Sequence, residues 1–142
     1  MIDVEHKKYL EFPSEFLYDV MRDVNSYSKF IPGCNFSKII SGSNEKFIAK
    51  LNLKYLLMSG EFISEVSCDK KKLIIISRGI DGPFHSLMNK WQFKKKGDGS
   101  IVKLNITIDL ENKIFEKILK KNIDKIFLQI IHSFEKRIDL IY

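Results

Sequence analysis

The side chains able to do chemistry are few and scattered. Three histidines, His6, His85 and His132, lie far apart, and none belongs to an H-E-x-x-H or comparable metal-binding motif. No glycine-rich phosphate loop, nucleophile elbow or cysteine–histidine pair occurs. Cys34 and Cys68 lack metal-ligand spacing and fall in strand-like segments, as expected of two buried thiols in a reducing compartment. No metal site, cofactor or catalytic residue is therefore expected. What remains is Ser64, Ser77 and Asn89, polar side chains at positions that otherwise alternate toward an apolar face. Inside an apolar cavity such groups can bond a ligand carbonyl and fix its orientation, or they can bond one another or a buried water. His85 has the parity of Leu87 and Trp91, which points it to the same inner face.

The elements that must position these groups follow from periodicity. Ile2 to Leu10 reads as a strand. After Pro13, the residues Phe16, Leu17, Val20, Met21 and Val24 recur at helical spacing, with Ser14 as the expected N-cap. A second short helix is expected over Asn25 to Phe30, ended by Ile31-Pro32-Gly33 because proline disfavours helical geometry at the residue before it. From Cys34 to Leu110 the period becomes two: Phe47, Ala49, Leu51, Leu53 and Tyr55 alternate with polar residues, as do Val102, Leu104, Ile106, Ile108 and Leu110. Such alternation marks antiparallel strands with one buried and one solvated face. Turn signals at 41–44, 68–70, 81–83 and 97–99 divide the region into about six strands. The tail returns to helical spacing, from Ile114 and Phe115 to Ile138 and Ile141, predicting a helix over roughly Asn112 to Tyr142. The expected fold is α+β: one domain over residues 1–142, with a curved antiparallel sheet of about six to seven strands gripping the terminal helix and two short helices after the first strand.

Composition limits the remaining choices. Hydrophobic residues make up 44% and aromatics 12% of 142 residues, enough for a sizeable core. Apolar runs are short, such as Leu73-Ile74-Ile75-Ile76, whereas a membrane-spanning helix needs about 20 apolar residues. The first residues have no signal-peptide apolar region, so a cytoplasmic location is expected, with peripheral contact at the inner membrane as a further expectation. The formal net charge of +6 suits an anionic partner, although Lys, Ile and Asn are all abundant, as an A- and T-rich genome would produce.

The order of elements is that of the helix-grip, or START-like, fold. Within it the sequence resembles the coenzyme Q-binding START-like family, which is closely related to the bacterial ribosome-association toxin family. Tyr27-Ser-Lys-Phe-Ile-Pro-Gly-Cys34 resembles that family's Y-x-x-F-(I/L/V)-P-W-C, with Gly33 in place of the Trp. Asp81-Gly-Pro-Phe84, then Leu87 and the Trp91-x-Phe93 pair, and the region of Phe134 extend the resemblance over nearly the whole chain. It implies a non-catalytic carrier or chaperone of ubiquinone supporting respiration. The bacterial relatives imply a second role, binding the large ribosomal subunit and blocking its association with the small one.

In a meander, alternate turns fall at the same end of the sheet. The turns near 41–44, 69–72 and 97–99 then share one end, which carries Lys70, Lys71, Lys72, Lys94, Lys95 and Lys96. This cluster is a pair of solvated hairpin tips or a docking surface for anionic lipid or ribosomal RNA; it lacks the interleaved aromatics of a single-strand reader, and DNA is not an expected partner. The turns near 55–59 and 81–84 share the other end, where Tyr55 to Met58, Pro83, Phe84, Ile114 and Phe115 form an apolar group unusual for turns. This second end is expected to be the mouth of a pocket for ubiquinone or a similar isoprenoid lipid. Its expected lining is Phe30, Leu53, Tyr55, Leu57 and Phe62, then Phe84, Leu87 and Trp91 with Phe115 and Ile118, around the polar groups Ser64, Ser77, His85 and Asn89.

Overall fold

The computed structural model describes residues 1–142. Its elements are β1 (Ile2–Leu10), α1 (Ser14–Arg22), a 3₁₀ turn (Val24–Ser26), α2 (Tyr27–Phe30), β2 (Cys34–Gly42), β3 (Lys46–Tyr55), β4 (Met58–Asp69), β5 (Ile74–Asp81), β6 (Phe84–Lys96), β7 (Gly99–Leu110) and α3 (Lys113–Ile141). The seven strands form one antiparallel sheet in the order β1-β7-β6-β5-β4-β3-β2. β2 to β7 are a plain meander, and β1 returns to pair with β7 through Ile2↔Ile108 and Leu10↔Ser100. The hairpin turns therefore alternate between the two ends, as the sequence predicts.

One face of the sheet is concave and carries the alternating apolar residues. Register places Trp91 opposite Ile75 and Leu104, and Phe47 opposite Val66. Register shifts in β2, at Ile80 in β5 (opposite Ile63 and Ser64 of β4) and between Phe84 and Ser86 in β6 each add a bend to their strand. α3 spans about 44 Å at 1.5 Å per residue and packs on β1 and β7. Its buried stripe, Ile123, Phe127, Ile131, Phe134 and Ile138, keeps the three-to-four spacing of one helix face. α1 lies over β5 and β6 and against α3, with Leu17, Val20 and Met21 buried.

Two local expectations change. Ser14 is the first helical residue rather than the cap; Pro13 takes the cap position and makes no side-chain bond. The Ser14 hydroxyl instead pairs with Ser100 Oγ at 2.7 Å, and Ser100 donates to Phe12 O, so two buried hydroxyls stitch the α1 start to β7. The helix expected over Asn25 to Phe30 is split, because the 3₁₀ turn Val24–Ser26 precedes the single α-turn Tyr27–Phe30. In α3, Asn112 is the cap, its side chain accepting from the Phe115 amide at 3.0 Å.

Candidate functional site

The concave face is packed unevenly. Toward the end where the turns 43–45, 70–73 and 97–98 lie, α1 and α3 cover a core of buried residues that includes Trp91, Phe93, Phe127 and Phe134. Trp91 and Phe127 lie nearly parallel with centroids 6.4 Å apart, and Phe134 meets Trp91 at the same order of distance, 6.3 Å. At the opposite end a small second cluster, Ile2, Ile108 and Leu110, gathers Phe84, Leu87, Phe115 and Leu119 on the β1–β7–β6 side. On the β3–β5 side of that end neither helix packs closely. Leu53, Tyr55, Phe62 and Ser77 stay half-buried there although their register turns them to the concave face.

Within this half-filled region the polar trio comes together. Ser77 and Asn89 are direct cross-strand partners on β5 and β6, and Ser64 stands on β4 one step diagonal to Ser77, whose partner there is Val66. Among the other buried serines, the hydroxyls of Ser14, Ser100 and Ser133 have hydrogen-bond partners and that of Ser26 has none. Ser64, Ser77 and Asn89 make no side-chain hydrogen bond, neither with one another nor with the backbone, and none is an atom sealed from solvent. Unbonded polar groups on this largely apolar face can bond a ligand at no cost in broken internal contacts.

An aromatic rim borders the trio. The Phe84 and Phe62 rings stack at 6.0 Å, and the Phe84 ring lies over Gly79, where an added Cβ would come within 2.4 Å of its Cζ. Glycine at 79 is what lets this ring lie flat on the sheet. Tyr55 and Phe115 meet at 6.1 Å across the gap between the β3–β4 hairpin and the first turn of α3. The start of α3 is latched by Glu116, which accepts from the Leu110 amide at 2.9 Å and from the Met1 amine at 3.0 Å. The Leu110 bond, then the amine, hold its carboxyl down at about 2.

The remaining expected lining residues divide. Leu87 packs on the small cluster beside Ile108, whereas Trp91 is part of the main packed core. Phe30 packs on Phe134 at 5.2 Å and borders a separate groove of about 330 Å³ between α2 and α3. His85 is exposed, contrary to its parity: it is the extra residue of the bulge between Phe84 and Ser86, which turns it off the concave face. Ile118 is 38% exposed on α3, and Leu57, at 98% exposure, stands clear of the concave face. The six lysines are exposed and free of ion pairs, and the Phe93 amide bond to Leu73 O at 3.1 Å sets Lys94 next to the Lys70–Lys72 turn.

Three features were not foreseen. His6 bonds Asp124 at 2.5 Å and stacks on Phe127 at 4.7 Å, tying β1 to α3; an i-to-j separation of 118 residues leaves no trace in local spacing. Glu116 is the second, since a glutamate in a helix's first turn is ordinary in sequence. The third is the backbone at Gly33, whose place in the family pattern the sequence shows but whose geometry it does not: φ is +81°, and a Cβ there would meet Lys54 O at 2.4 Å. The tryptophan of the family pattern does not fit this backbone, which instead accepts a 2.7 Å bond from the Lys54 amide to Gly33 O.

Comparison with known proteins agrees with this architecture. Residues 10–135 match the family model described as polyketide cyclase / dehydrase and lipid transport. The ribosome association toxin RatA of Rickettsia prowazekii is 29% identical over 140 residues, covering 96% of each chain. The mitochondrial coenzyme Q-binding protein COQ10 of Dictyostelium discoideum is 26% identical over 147 residues, covering 100% of this chain and 71% of that one. A START superfamily protein from Mycobacterium smegmatis superposes with a TM-score of 0.85 at 15% identity, covering 99% of both chains.

Proposed function

The chain belongs to the polyketide cyclase / dehydrase and lipid transport family, and we propose that it is a non-catalytic carrier of ubiquinone or a similar isoprenoid lipid. The observation that supports this reading is the trio Ser64, Ser77 and Asn89, unbonded on a stretch of the concave face (β4 to β6) that is otherwise largely apolar. A hydroxyl or amide can bond a carbonyl or a phenolic hydroxyl, yet neither is a proton donor or acceptor of the strength that cyclisation chemistry needs. The stacked Phe62 and Phe84, with Tyr55 and Phe115 beyond them, give an isoprenoid tail an apolar path toward the β3–β4 hairpin. The likeness to a coenzyme Q-binding protein supports the same ligand class.

A second reading has its own observation. Lys70–Lys72 and Lys94–Lys96 form one ion-pair-free basic patch at the packed end, and several relatives carry the name ribosome association toxin. Docking on ribosomal RNA through that patch would need no cavity ligand.

Organic extraction of the protein purified from its native host, followed by mass spectrometry, separates the two. A stoichiometric quinone or other isoprenoid lipid is the expected result. An empty protein that co-sediments with large ribosomal subunits in a salt-sensitive manner would overturn the carrier reading in favour of the second.

A further inference from the structure

The β3–β4 hairpin is built against the usual rules for a turn. Tyr55 pairs with Met58, leaving Leu56-Leu57 as a two-residue loop. Leu56 has φ +56°, a conformation that two-residue hairpins normally assign to glycine or asparagine. Leu57 is 98% exposed and Leu56 60%. The sequence thus places large apolar side chains where a polar or glycine turn would be both less strained and better solvated, and such local misfits mark function.

The hairpin is not alone. Tyr55 packs on Phe115, so the tip stands beside the first turns of α3, where Ile114 is 77% exposed and Ile118 also faces out. Lys54, next to Tyr55 in β3, and Lys117, Lys120 and Lys121, in the first turns of α3, are exposed and make no ion pair. The local carboxylates Asp109 and Glu116 are engaged by Lys113 and by the Leu110 amide, leaving Asp81 and Glu111 free. An apolar tip on elements that also carry unpaired lysines matches one surface in both respects: a bilayer with anionic headgroups, where leucines enter the acyl boundary and lysines meet phosphates. We propose that this end of the molecule, Leu56-Leu57 with Ile114 and Ile118, docks on anionic lipid bilayers. The docking stands whatever occupies the concave face.

Flotation with phospholipid vesicles tests it, using protein stripped of lipid so that carriage plays no part. The chain is expected to float with vesicles of phosphatidylcholine and phosphatidylglycerol, weakly with phosphatidylcholine alone, and less at high salt. Leu57→Asp should lower the bound fraction by about ten-fold or more. Lys117→Gln and Lys121→Gln should each lower it by about five-fold. Because Leu57 makes no packing contact to lose, circular dichroism of the variant should match the parent; the milder Leu57→Ser gives the same ordering if it does not. Equal flotation of Leu57→Asp and the parent overturns the proposal. So does an equal loss on neutralising Lys70, Lys71 and Lys72 at the far end. A parent that ignores vesicles but sediments as a dimer, and becomes monomeric as Leu57→Asp, overturns it in favour of a second copy of the chain.

Discussion

The two ends of the sheet are made by the same meander yet differ in almost every respect. At one, α1 and α3 close over Trp91, Phe93, Phe127 and Phe134, and the turns outside are lysine-rich and polar. At the other, the helices withdraw from β3–β5, three polar side chains lie unbonded on the concave face, and the turn outside is leucine. One end spends its apolar residues on packing; the other leaves them for something else to touch.

If that contrast is right, truncation should separate the ends. Phe93→Ala, in the closed end, should destabilise by about 3–5 kcal/mol. Phe62→Ala, half-buried at the open end, should cost about 1 kcal/mol because little packing is lost. Chemical denaturation midpoints measure both, and similar values would erase the distinction. Gly33→Trp, which installs the family residue, should cost about 2 kcal/mol, since the left-handed backbone and the Lys54 carbonyl both oppose a side chain. A variant as stable as the parent would mean the loop rearranges freely.

The latch at the open end gives a smaller, pH-dependent effect. The Glu116 carboxyl lies at about 2 in the folded protein against an ordinary 4.5. A depressed acid stabilises the fold above its unfolded value and loses that contribution as pH falls. The stability difference between parent and Glu116→Gln should therefore be full above pH 4.5 and shrink toward pH 2, read from denaturation curves across that window. A difference independent of pH would show that the carboxylate's charge is not what holds α3. Smallest of all, replacing Lys70, Lys71 and Lys72 with Gln should move stability by no more than about 0.5 kcal/mol, because exposed, unpaired side chains are removed.

Much of this frame was legible in the sequence. Alternation in β3 and β7, the long stripe of α3 and the turn signals gave the element order, and meander logic alone assigned each turn to its end. Ser64, Ser77 and Asn89 could be placed on one face because parity survives along β4, β5 and β6 at those positions. The same logic failed at His85, where one bulged residue reverses the face, and a bulge has no reliable sequence signal. It also failed for Ser14, whose hydroxyl found Ser100 across 86 residues instead of its own helix. Helix coverage was the larger gap. Periodicity told which face of α3 is apolar, but not that it would lie over β1 and β7 and leave β3–β5 open.

The central claim is that the concave face holds a neutral, carbonyl-bearing lipid through the unbonded trio, and Trp91 reports on it directly. It is the only tryptophan and shares the concave face of β6 with Asn89, two positions away. Titration of the protein with a short-chain ubiquinone should quench its fluorescence saturably. Asn89→Leu combined with Ser77→Val should weaken the apparent affinity by about ten-fold or more, two lost hydrogen bonds at about 1 kcal/mol each. Quenching that never saturates, or an affinity unchanged in the double variant, would contradict the account.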